Sequence, residues 1–362
     1  MSEWKEYKLG DVCSRLRSGK NLKSNLIFPE GKYPVWGGNG VRGYTNECNF
    51  KGQCCVIGRQ GAYCGNVHYY EGEAYMTEHA IVAVGNEQAD TYYLACALSL
   101  MHLENLSAQS AQPGISVQTL STQTIILPPI DEQKRIAGVL SSLDDKIDLL
   151  NRENATLEAL AETLFRHYFI ENPDPTWKEG KLGDEFDFTM GQSPSGDSFN
   201  EDGIGIPMYQ GNADFGFRFP TRRVYTTAPT RFAEENDTLI SVRAPVGAQN
   251  MASERCCIGR GVAAFRHKDK SLYSYTYYKL KSLLEDIRQF NDNGTVFGSI
   301  SKSDFENIDI VIPNRDSIVA FQEQATPIDE KIRTNYKQIL VLSAQRDSLL
   351  PRLMSGEVKH VE

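Results

Sequence analysis

Apolar residues follow an alternating four-and-three spacing through two separate stretches of the chain. The spacing holds from Ile136 to Tyr168 and again from Phe321 to Leu353. A seam of this kind is typical of a two-stranded coiled coil. Because the first helix leads into the second half of the chain and the second helix follows that half, we expect the two to pair antiparallel. Two unrelated core helices are the alternative.

Polar residues in the two helical stretches allow further predictions. Asn154 and Asn335 stand at seam positions, where an asparagine fixes register at some cost in stability, unless both lie at the seam edge. Ser141 with Asp144, and Thr326 with Asp329, match helix-capping signatures, and Pro327 fits a first helical position. We therefore expect each helix to restart or kink there, which leaves 27 residues, or ~40 Å, from 142 to 168.

Short apolar runs between turn residues predict buried strands in both halves of the chain. The runs are 54–58, 80–84, 238–242 and 261–265. Apolar residues at three-to-four spacing predict matching helices over 91–103 and 274–287. The expected fold class is therefore mixed α/β (α+β).

The chain repeats itself. WKEYKLGD at 4–11 returns as WKEGKLGD at 177–184, an offset of 173, whereas DDKI at 144–147 returns as DEKI at 329–332, an offset of 185. The second copy therefore carries 12 additional residues between these anchors. We predict two tandem domains, each followed by a spacer helix. Their ranges are 1–130 and 173–313 for the domains, and 131–172 and 314–356 for the helices.

Charge at first argues against a nucleic-acid partner, because the net charge is −9. The excess is uneven: residues 131–172 hold five basic and nine acidic residues, nearly half of it. Basic residues cluster within the domains, so a local basic face is compatible with an acidic total.

Location and redox state follow from composition. The longest apolar stretch, 92–101, is too short to cross a membrane, and the N-terminus lacks the apolar core of a secretory signal. The eight cysteines contain no C-x-x-C, and a chain this long needs no disulfides. We expect reduced thiols and a cytoplasmic protein. A zinc site would have to use Cys48, Cys54, Cys64 and His68, whose spacing fits neither a finger nor a ribbon.

Catalytic motifs are missing from the sequence. There is no phosphate-binding G-x-x-x-x-G-K-[ST] loop, and the segment Asn172–Pro175 lacks the paired prolines and the aromatic residue of an aminomethyltransferase. Glu78 and His79 suggest acid–base chemistry, but a structural histidine beside a strand explains them more simply. We predict no catalytic residues and no metal site, which also disfavours a standalone methyltransferase.

The ordered motifs resemble the specificity subunit of a type I restriction–modification system, over essentially the full length. The resemblance is weakest in the second spacer helix. It rests on WKEYKLGDV, GKYPVWGGNGVRGYTNE, GRQGA followed by VHYYEG, TMGQSPSG, IPMYQGNADFG, LISVRAPVG, IGRGVAA and LPPIDEQKRIAGVLSSLDDKIDLLN.

The resemblance implies a non-catalytic subunit that binds double-stranded DNA through two target-recognition domains. The half-sites would differ and be separated by an unread gap set by the helices. Modification subunits would methylate adenine with S-adenosylmethionine, and restriction subunits would cut with ATP and magnesium. The chain itself would hold no cofactor. A two-lobed interaction protein with no DNA role is the alternative.

Candidate DNA contacts are basic and amide side chains in predicted loops, because arginine pairs with guanine and asparagine or glutamine with adenine. Arg59 and Arg243 have an alternative role closing strand ends, and Asn39 and Asn212 an alternative role as turn residues. The candidates are Arg15, Arg17, Lys20, Asn39, Arg42, Arg59, Gln60, Gln192, Gln210, Asn212, Arg218, Arg222, Arg223 and Arg243.

Overall fold

The computed structural model describes residues 4–107, 114–243, 245–289 and 300–357. The chain divides into two compact units. The first comprises residues 1–150 and 337–362, and the second residues 151–336. Each unit therefore contains one globular domain and part of both long helices.

The first unit is built from eight strands and two short helices among the described residues, followed by the first long helix. The strands are β1 (Lys5–Lys8), β2 (Cys13–Ser18), β3 (Tyr33–Gly37), β4 (Gly40–Thr45), β5 (Phe50–Gly58), β6 (Val67–Met76), β7 (Ala80–Gly85) and β8 (Thr124–Leu127). The helices are α1 (Thr91–Ser99), α2 (Val117–Ser121) and the long α3 (Ile130–Arg166).

The second unit has shorter and more numerous strands, and the second long helix follows it. The strands are β9 (Lys178–Lys181), β10 (Phe186–Met190), β11 (Phe199–Asn200), β12 (Ile206–Tyr209), β13 (Val224–Thr226), β14 (Phe232–Ala233), β15 (Thr238–Ser241), β16 (Gln249–Met251), β17 (Cys256–Ile258), β18 (Val262–His267) and β19 (Asp309–Ile312). The helices are α4 (Leu182–Glu185), α5 (Tyr273–Ser282), α6 (Leu284–Gln289), α7 (Lys302–Glu306) and the long α8 (Arg315–Met354).

The main sheet of the first unit has the strand order β2-β7-β5-β6-β3-β4. Its central strand β5 is buried over its last five residues, as its apolar run predicts. One face packs on a core that contains Ile57 and Tyr93 together with Ile136 of α3 and Leu353 of α8. The other face carries a smaller core around Val56 and Met76. The long helices thus cover one face only.

The sheets of the second unit follow the same plan in two pieces, β10-β18-β15-β16 and β11-β13-β12-β17-β14. Strand β15 lies between β18 and β16 as β5 lies between β7 and β6. The parallel pairing of β12 with β17 repeats that of β3 with β6. The predicted fold class and strands are therefore confirmed. The helix predicted over 91–103 ends earlier, at Ser99, and the one predicted over 274–287 is divided between α5 and α6.

Repeated sequence motifs pair with each other in each unit. Strand β1, from the WKEYKLGD motif, pairs antiparallel with β8, from IILP. Strand β9, from WKEGKLGD, pairs in the same way with β19, from IVIP. The ladders join the start of each domain to the residues just before its long helix. The duplication seen in the sequence is therefore also a structural duplication.

The predicted restart of each long helix was wrong, because both helices run unbroken through the capping signatures. Thr326 does not cap a helix: its hydroxyl donates to the Gln322 carbonyl at 2.7 Å, a bond typical of a threonine inside a helix. Asp144 instead accepts a hydrogen bond from the Tyr92 hydroxyl. Helix α3 therefore has 37 residues, or ~55 Å at about 1.5 Å per residue, rather than the expected 27.

Within each unit the segments of α3 and α8 pack on each other antiparallel. In the first unit, Ile136 shares a core with Leu353, and Asp144 accepts from Arg346 at 2.9 Å. In the second unit, the rings of Phe165 and Phe321 lie 5.5 Å apart. In each unit a later residue of α3 meets an earlier residue of α8. This is the direction that the two seams predict.

Candidate nucleic-acid interface

Five predicted residues of the first unit gather around the turn at 77–79, which joins β6 to β7. The Lys20 amide donates to the Met76 carbonyl at 3.0 Å, and the Arg59 amide to the His79 carbonyl at 3.0 Å. All five are exposed except Arg59, which is half-buried. The members of this first turn cluster are Lys20, Asn39, Arg42, Arg59 and Gln60.

The hairpin between β3 and β4 brings Asn39 and Arg42 to the same place. Its turn is tight, because Gly37 pairs with Gly40, which has a φ of 101°. A Cβ on Gly38 would lie 3.1 Å from the His79 carbonyl oxygen, so the hairpin approaches the 77–79 turn closely. Asn39 therefore occupies a turn, as its alternative interpretation states, and is also exposed at the cluster.

Arg59 combines the two roles that the sequence left open. Its Nη1 donates to the Glu78 carbonyl at 3.4 Å, which holds the guanidinium over the turn at the end of β5. The side chain is only half-buried, so part of the guanidinium still faces solvent. The sequence alone does not separate a strand-closing arginine from a DNA contact, and here one residue can serve as both.

Arg15 and Arg17 lie away from the turn, along the edge strand β2. The Arg15 guanidinium stacks on Phe50, with 5.1 Å between its Cζ and the ring centroid, and its Nε is buried. Burial and the neighbouring Arg17 lower the pKa of Arg15 from its usual value. Arg17 is exposed two residues further along the strand. Arg15 therefore has a packing role, whereas Arg17 is free at the surface.

The second unit gathers predicted residues around the equivalent turn at 259–261, between β17 and β18. The Gln192 amide donates to the Ile258 carbonyl at 3.0 Å, and the Val242 amide, beside Arg243, donates to the Gly261 carbonyl at 2.9 Å. All members are exposed. This second turn cluster consists of Gln192, Gln210, Asn212, Arg243 and Arg260.

Arg260 is the member that sequence reasoning did not select. It stands at the centre of the turn between Gly259 and Gly261, and its amide donates to the Ser193 hydroxyl at 3.3 Å. A Cβ on Gly261 would lie 2.1 Å from the Gln210 carbonyl oxygen, so only glycine fits there. A Gly-Arg-Gly triplet between two buried strands is the signal that would have found this arginine.

Arg222 and Arg223 are exposed but ion-paired. Arg222 Nε lies 2.6 Å from Glu254, and Arg223 Nη2 lies 2.8 Å from Asp214, whose carboxylate is buried. Asp214 also accepts from the Gln210 amide at 2.7 Å. Arg223 thus connects through Asp214 to the second turn cluster, and Arg222 does not share that connection.

Arg218 differs from the sequence-based expectation, because its side chain is only 2% exposed. Its guanidinium pairs with Glu158 of α3 and Asp329 of α8 and lies 3.8 Å from the Tyr277 ring centroid. Burial alone would lower the pKa of Arg218, but Tyr277 and the two carboxylates outweigh it and raise the pKa. A guanidinium held this way joins a domain loop to the helices and cannot reach a base.

Metal and thiol chemistry are not indicated within the described ranges. No group of three or more His, Cys, Asp or Glu side chains there is arranged to hold a metal ion. Among the described residues, none of the eight cysteines forms a disulfide. Burial raises the pKa of Cys13 and of Cys54 to about 12, so both stay protonated at neutral pH. Among the described helices, none has the length and hydropathy of a membrane span.

Two tandem mixed α/β domains, each with an equivalent polar turn and each followed by a long helix, define a protein built by duplication of one module. The family model of the type I restriction modification DNA specificity domain matches residues 1–159 and 175–339. The chain belongs to this family, whose members recognise DNA sequence.

Similar proteins agree with this assignment. The chain is 29% identical over 322 residues to a putative type I restriction enzyme MjaX specificity subunit from Methanocaldococcus jannaschii, covering 82% of this chain and 76% of that protein. It is 36% identical over 146 residues to the EcoprrI specificity subunit of Escherichia coli, covering 39% and 36%. The crystal structure of a type I S subunit from M. genitalium has the same fold, with a TM-score of 0.66, 20% identity and coverage of 97% and 96%.

Proposed function

We propose that the chain reads two different short DNA sequences separated by an unread gap, as the specificity subunit of a type I restriction–modification complex. Each unit would read one half-site through its turn cluster. Helices α3 and α8 would set the gap, and the unbroken course of α3 from the first unit into the second supports that role.

The observation that carries this proposal is the equivalence of the two turn clusters. Both lie at the turn that joins equivalent strands, and both combine arginine with asparagine or glutamine. These side chains make bidentate contacts with guanine and with adenine. Because the two clusters consist of different sets of side chains, the two half-sites should differ in sequence.

Phosphate contacts would come from cations beside the clusters rather than from Arg218. Arg17 is exposed on β2, and Arg222 and Arg223 are exposed although ion-paired. A phosphate can replace Glu254 as the partner of Arg222 at small cost, because exposed ion pairs contribute only about 0–1 kcal/mol. Arg223 would instead reach the phosphate while it stays bonded to the buried Asp214. We assign these three residues to the DNA backbone and Arg15 to packing.

Catalysis would belong to partner subunits. Modification subunits would methylate adenine with S-adenosylmethionine, and restriction subunits would use ATP and magnesium, all in the cytoplasm where the DNA is. The names of the similar proteins, which are specificity subunits, support a non-catalytic role for this chain.

Methylome sequencing of a host that carries this system tests the proposal. We expect adenine methylation at an asymmetric, gapped sequence, and loss of that mark when this gene alone is deleted. A methylome without such a mark, or a mark that survives the deletion, contradicts it. A two-lobed protein with no DNA role would also fail to show salt-dependent binding to the gapped duplex in the presence of its partners.

A further inference from the structure

A groove of about 1010 Å³ lies in the first unit between the sheet and helix α3. Strand β6 lines it with Tyr69 on the helix side of the sheet and with Tyr70, beside Trp36, on the opposite face. Helix α3 lines it with Asp145 and Asp148. Five carboxylates and two permanent cations line it in all. The groove therefore combines aromatic surface with an excess of negative charge.

The equivalent place in the second unit can be located from the strand ladders. Tyr69 of the groove pairs with Cys55 of the central strand β5. Met251 pairs in the same way with Thr238 of the central strand β15. Tyr69 and Met251 therefore occupy equivalent positions on the sheet walls of the two units.

The helix walls are matched by the repeated motif. DDKID at 144–148 corresponds to DEKIR at 329–333, so Asp144 is equivalent to Asp329 and Asp148 to Arg333. On the helix that follows the sheet, a tyrosine hydroxyl donates to the first aspartate in both units, from Tyr92 to Asp144 and from Tyr278 to Asp329. The groove of the first unit and its counterpart in the second unit therefore have equivalent sheet walls, equivalent helix walls and the same tyrosine–aspartate hydrogen bond. We call this shared arrangement the framework.

In the second unit this space is filled by the chain itself. Between Asn212 and the central strand there are 25 residues, against 15 between Asn39 and Cys55 in the first unit. The longer connection contributes residues 215–220, which we call the plug. The additional residues of the second copy thus lie where the plug forms.

The plug touches the walls that correspond to the open groove. The Met251 amide donates to the Arg218 carbonyl at 2.8 Å, and Asn250 bonds to both backbone polar groups of Gly216. The Arg218 guanidinium reaches Asp329 at 3.0 Å, and the Arg333 guanidinium stacks on Phe219 at 4.9 Å. An arginine flanked by phenylalanines is therefore the occupant that this framework holds.

The first unit satisfies only part of the same framework internally. Arg346 of α8 supplies a guanidinium to Asp144 at 2.9 Å, as Arg218 does for Asp329. The space for the aromatic residues stays open, and the position of Arg333 is taken by Asp148, an exposed carboxylate. This reversal of charge beside aromatic walls favours an occupant that carries both an aromatic ring and a cation.

We propose that the groove binds a segment of a partner protein in which an arginine or lysine stands beside an aromatic residue. The segment fills, in the first unit, the place that the plug fills in the second. DNA is a poor occupant, because the carboxylates of the groove repel phosphate. The inference deepens the proposed function, since it rests on assembly of the chain with partner subunits.

A labelled synthetic peptide of residues 213–222, which contains the plug and two residues on each side, tests the groove on the full-length chain by fluorescence anisotropy. We expect saturable binding that Asp145→Lys with Asp148→Lys weakens at least about tenfold. Matched reversals outside the groove, at the exposed residues Glu30 and Glu87, should leave binding within about twofold. Thermal unfolding verifies that each variant is folded. Asp145→Asn with Asp148→Asn serves as the milder pair and should also weaken binding.

Three outcomes overturn the inference. The first is the absence of saturable peptide binding by the natural chain, and the second is equal binding by the groove variants and the matched controls. The third is displacement of the peptide by duplex DNA, which would assign the groove to nucleic acid instead. The assay needs neither DNA nor partner subunits, so a failure of the proposed function, seen in the methylome, is distinguishable from a failure of the groove.

Discussion

Asn335 of α8 donates to Asn154 of α3 through a hydrogen bond of 2.9 Å in the interior of the second unit. Asn335 is fully buried and Asn154 is 3% exposed, so both lie inside the seam rather than at its edge. Asn335 also donates to Glu153 at 2.9 Å. A buried polar pair whose hydrogen bond forms only in one alignment of two helices fixes the register of their packing.

Replacing one member of this pair should cost more than replacing both. Asn335→Leu leaves the Asn154 amide buried without a partner, which should lower the free energy of unfolding by about 1–3 kcal/mol. Asn154→Leu combined with Asn335→Leu should recover most of that loss. Denaturant unfolding of the three variants measures the coupling. Asn151→Leu, at an exposed site of α3, is the control. Equal losses of unfolding free energy in the single and double variants would contradict the role of the asparagine pair in fixing the helix register.

Arg218 should be a stability residue. Arg218→Leu leaves Glu158 and Asp329 buried without their guanidinium, and losing one partner of a buried ion pair typically costs about 3–5 kcal/mol. Arg222→Leu, whose guanidinium is 57% exposed and whose partner Glu254 is 32% exposed, should change stability by less than about 1 kcal/mol. Thermal unfolding midpoints of the two variants measure the difference. Similar midpoints would contradict a stabilising role for Arg218.

DNA recognition should depend on the turn clusters. Arg42→Ala and Arg260→Ala should each weaken binding of the assembled complex to its gapped site by about 1–3 kcal/mol, the value of one bidentate base contact. Lys51 is exposed at the opposite end of β5 from Arg59, so Lys51→Ala is the matched control. Filter binding at fixed salt measures the differences. Losses of equal size in the control would indicate general electrostatics rather than base recognition.

The sequence predicted the structure best where a strand or helix is specified by a local apolar run or by a periodic spacing of apolar residues. The apolar runs located β5, β7, β15 and β18, the heptad spacing indicated two paired helices, and the order of domains and helices along the chain indicated that they are antiparallel. The capping signatures misled because Ser141 and Thr326 bond to carbonyls of their own helices, at 138 and 322. Local motifs do not record that a helix continues when packing on a partner helix stabilises it.

Tertiary burial explains what the sequence could not supply at the candidate site. Arg218 and Arg222 look alike in a basic run, yet only Arg218 turns inward, because Glu158 and Asp329 come from helices distant in sequence. Arg260 was passed over although the Gly-Arg-Gly triplet at 259–261 marks it, because the sequence alone does not place that turn beside Gln192 and Arg243. Arg260 is exposed at the second turn cluster because it lies in the turn that joins β17 to β18. The pairing of the neighbouring strands determines the position of that turn.

Acidification should destabilise the second unit through His267. Burial lowers the pKa of His267 from its usual 6.5, although hydrogen bonding to Asp269 opposes the shift, and its Nδ1 accepts from the Asp269 amide at 2.8 Å. The unfolded chain therefore binds the proton more readily, so stability is present above about pH 6.5 and is lost as the pH falls through the lowered pKa. His267→Gln should flatten the slope of unfolding free energy against pH below 6.5, and His102→Gln, an exposed histidine, should not. Parallel slopes for the natural chain and His267→Gln would exclude His267 as the source of the pH-dependent loss of stability.

Helix length should set the unread gap between the half-sites. Removing residues 146–152 from α3 and 337–343 from α8 takes one heptad from each helix, between the Asp144–Arg346 and Asn154–Asn335 contacts. Seven residues correspond to ~10.5 Å of helix, or about three base pairs at 3.4 Å each. The methylome of a host that carries the shortened chain should show the same two half-sites with a gap about three base pairs shorter, or no modification at all. Shortening only one helix shifts the two seams against each other and should abolish assembly, which makes it the control for register. A shortened chain that still modifies DNA with the original gap would show that the helices do not measure the distance.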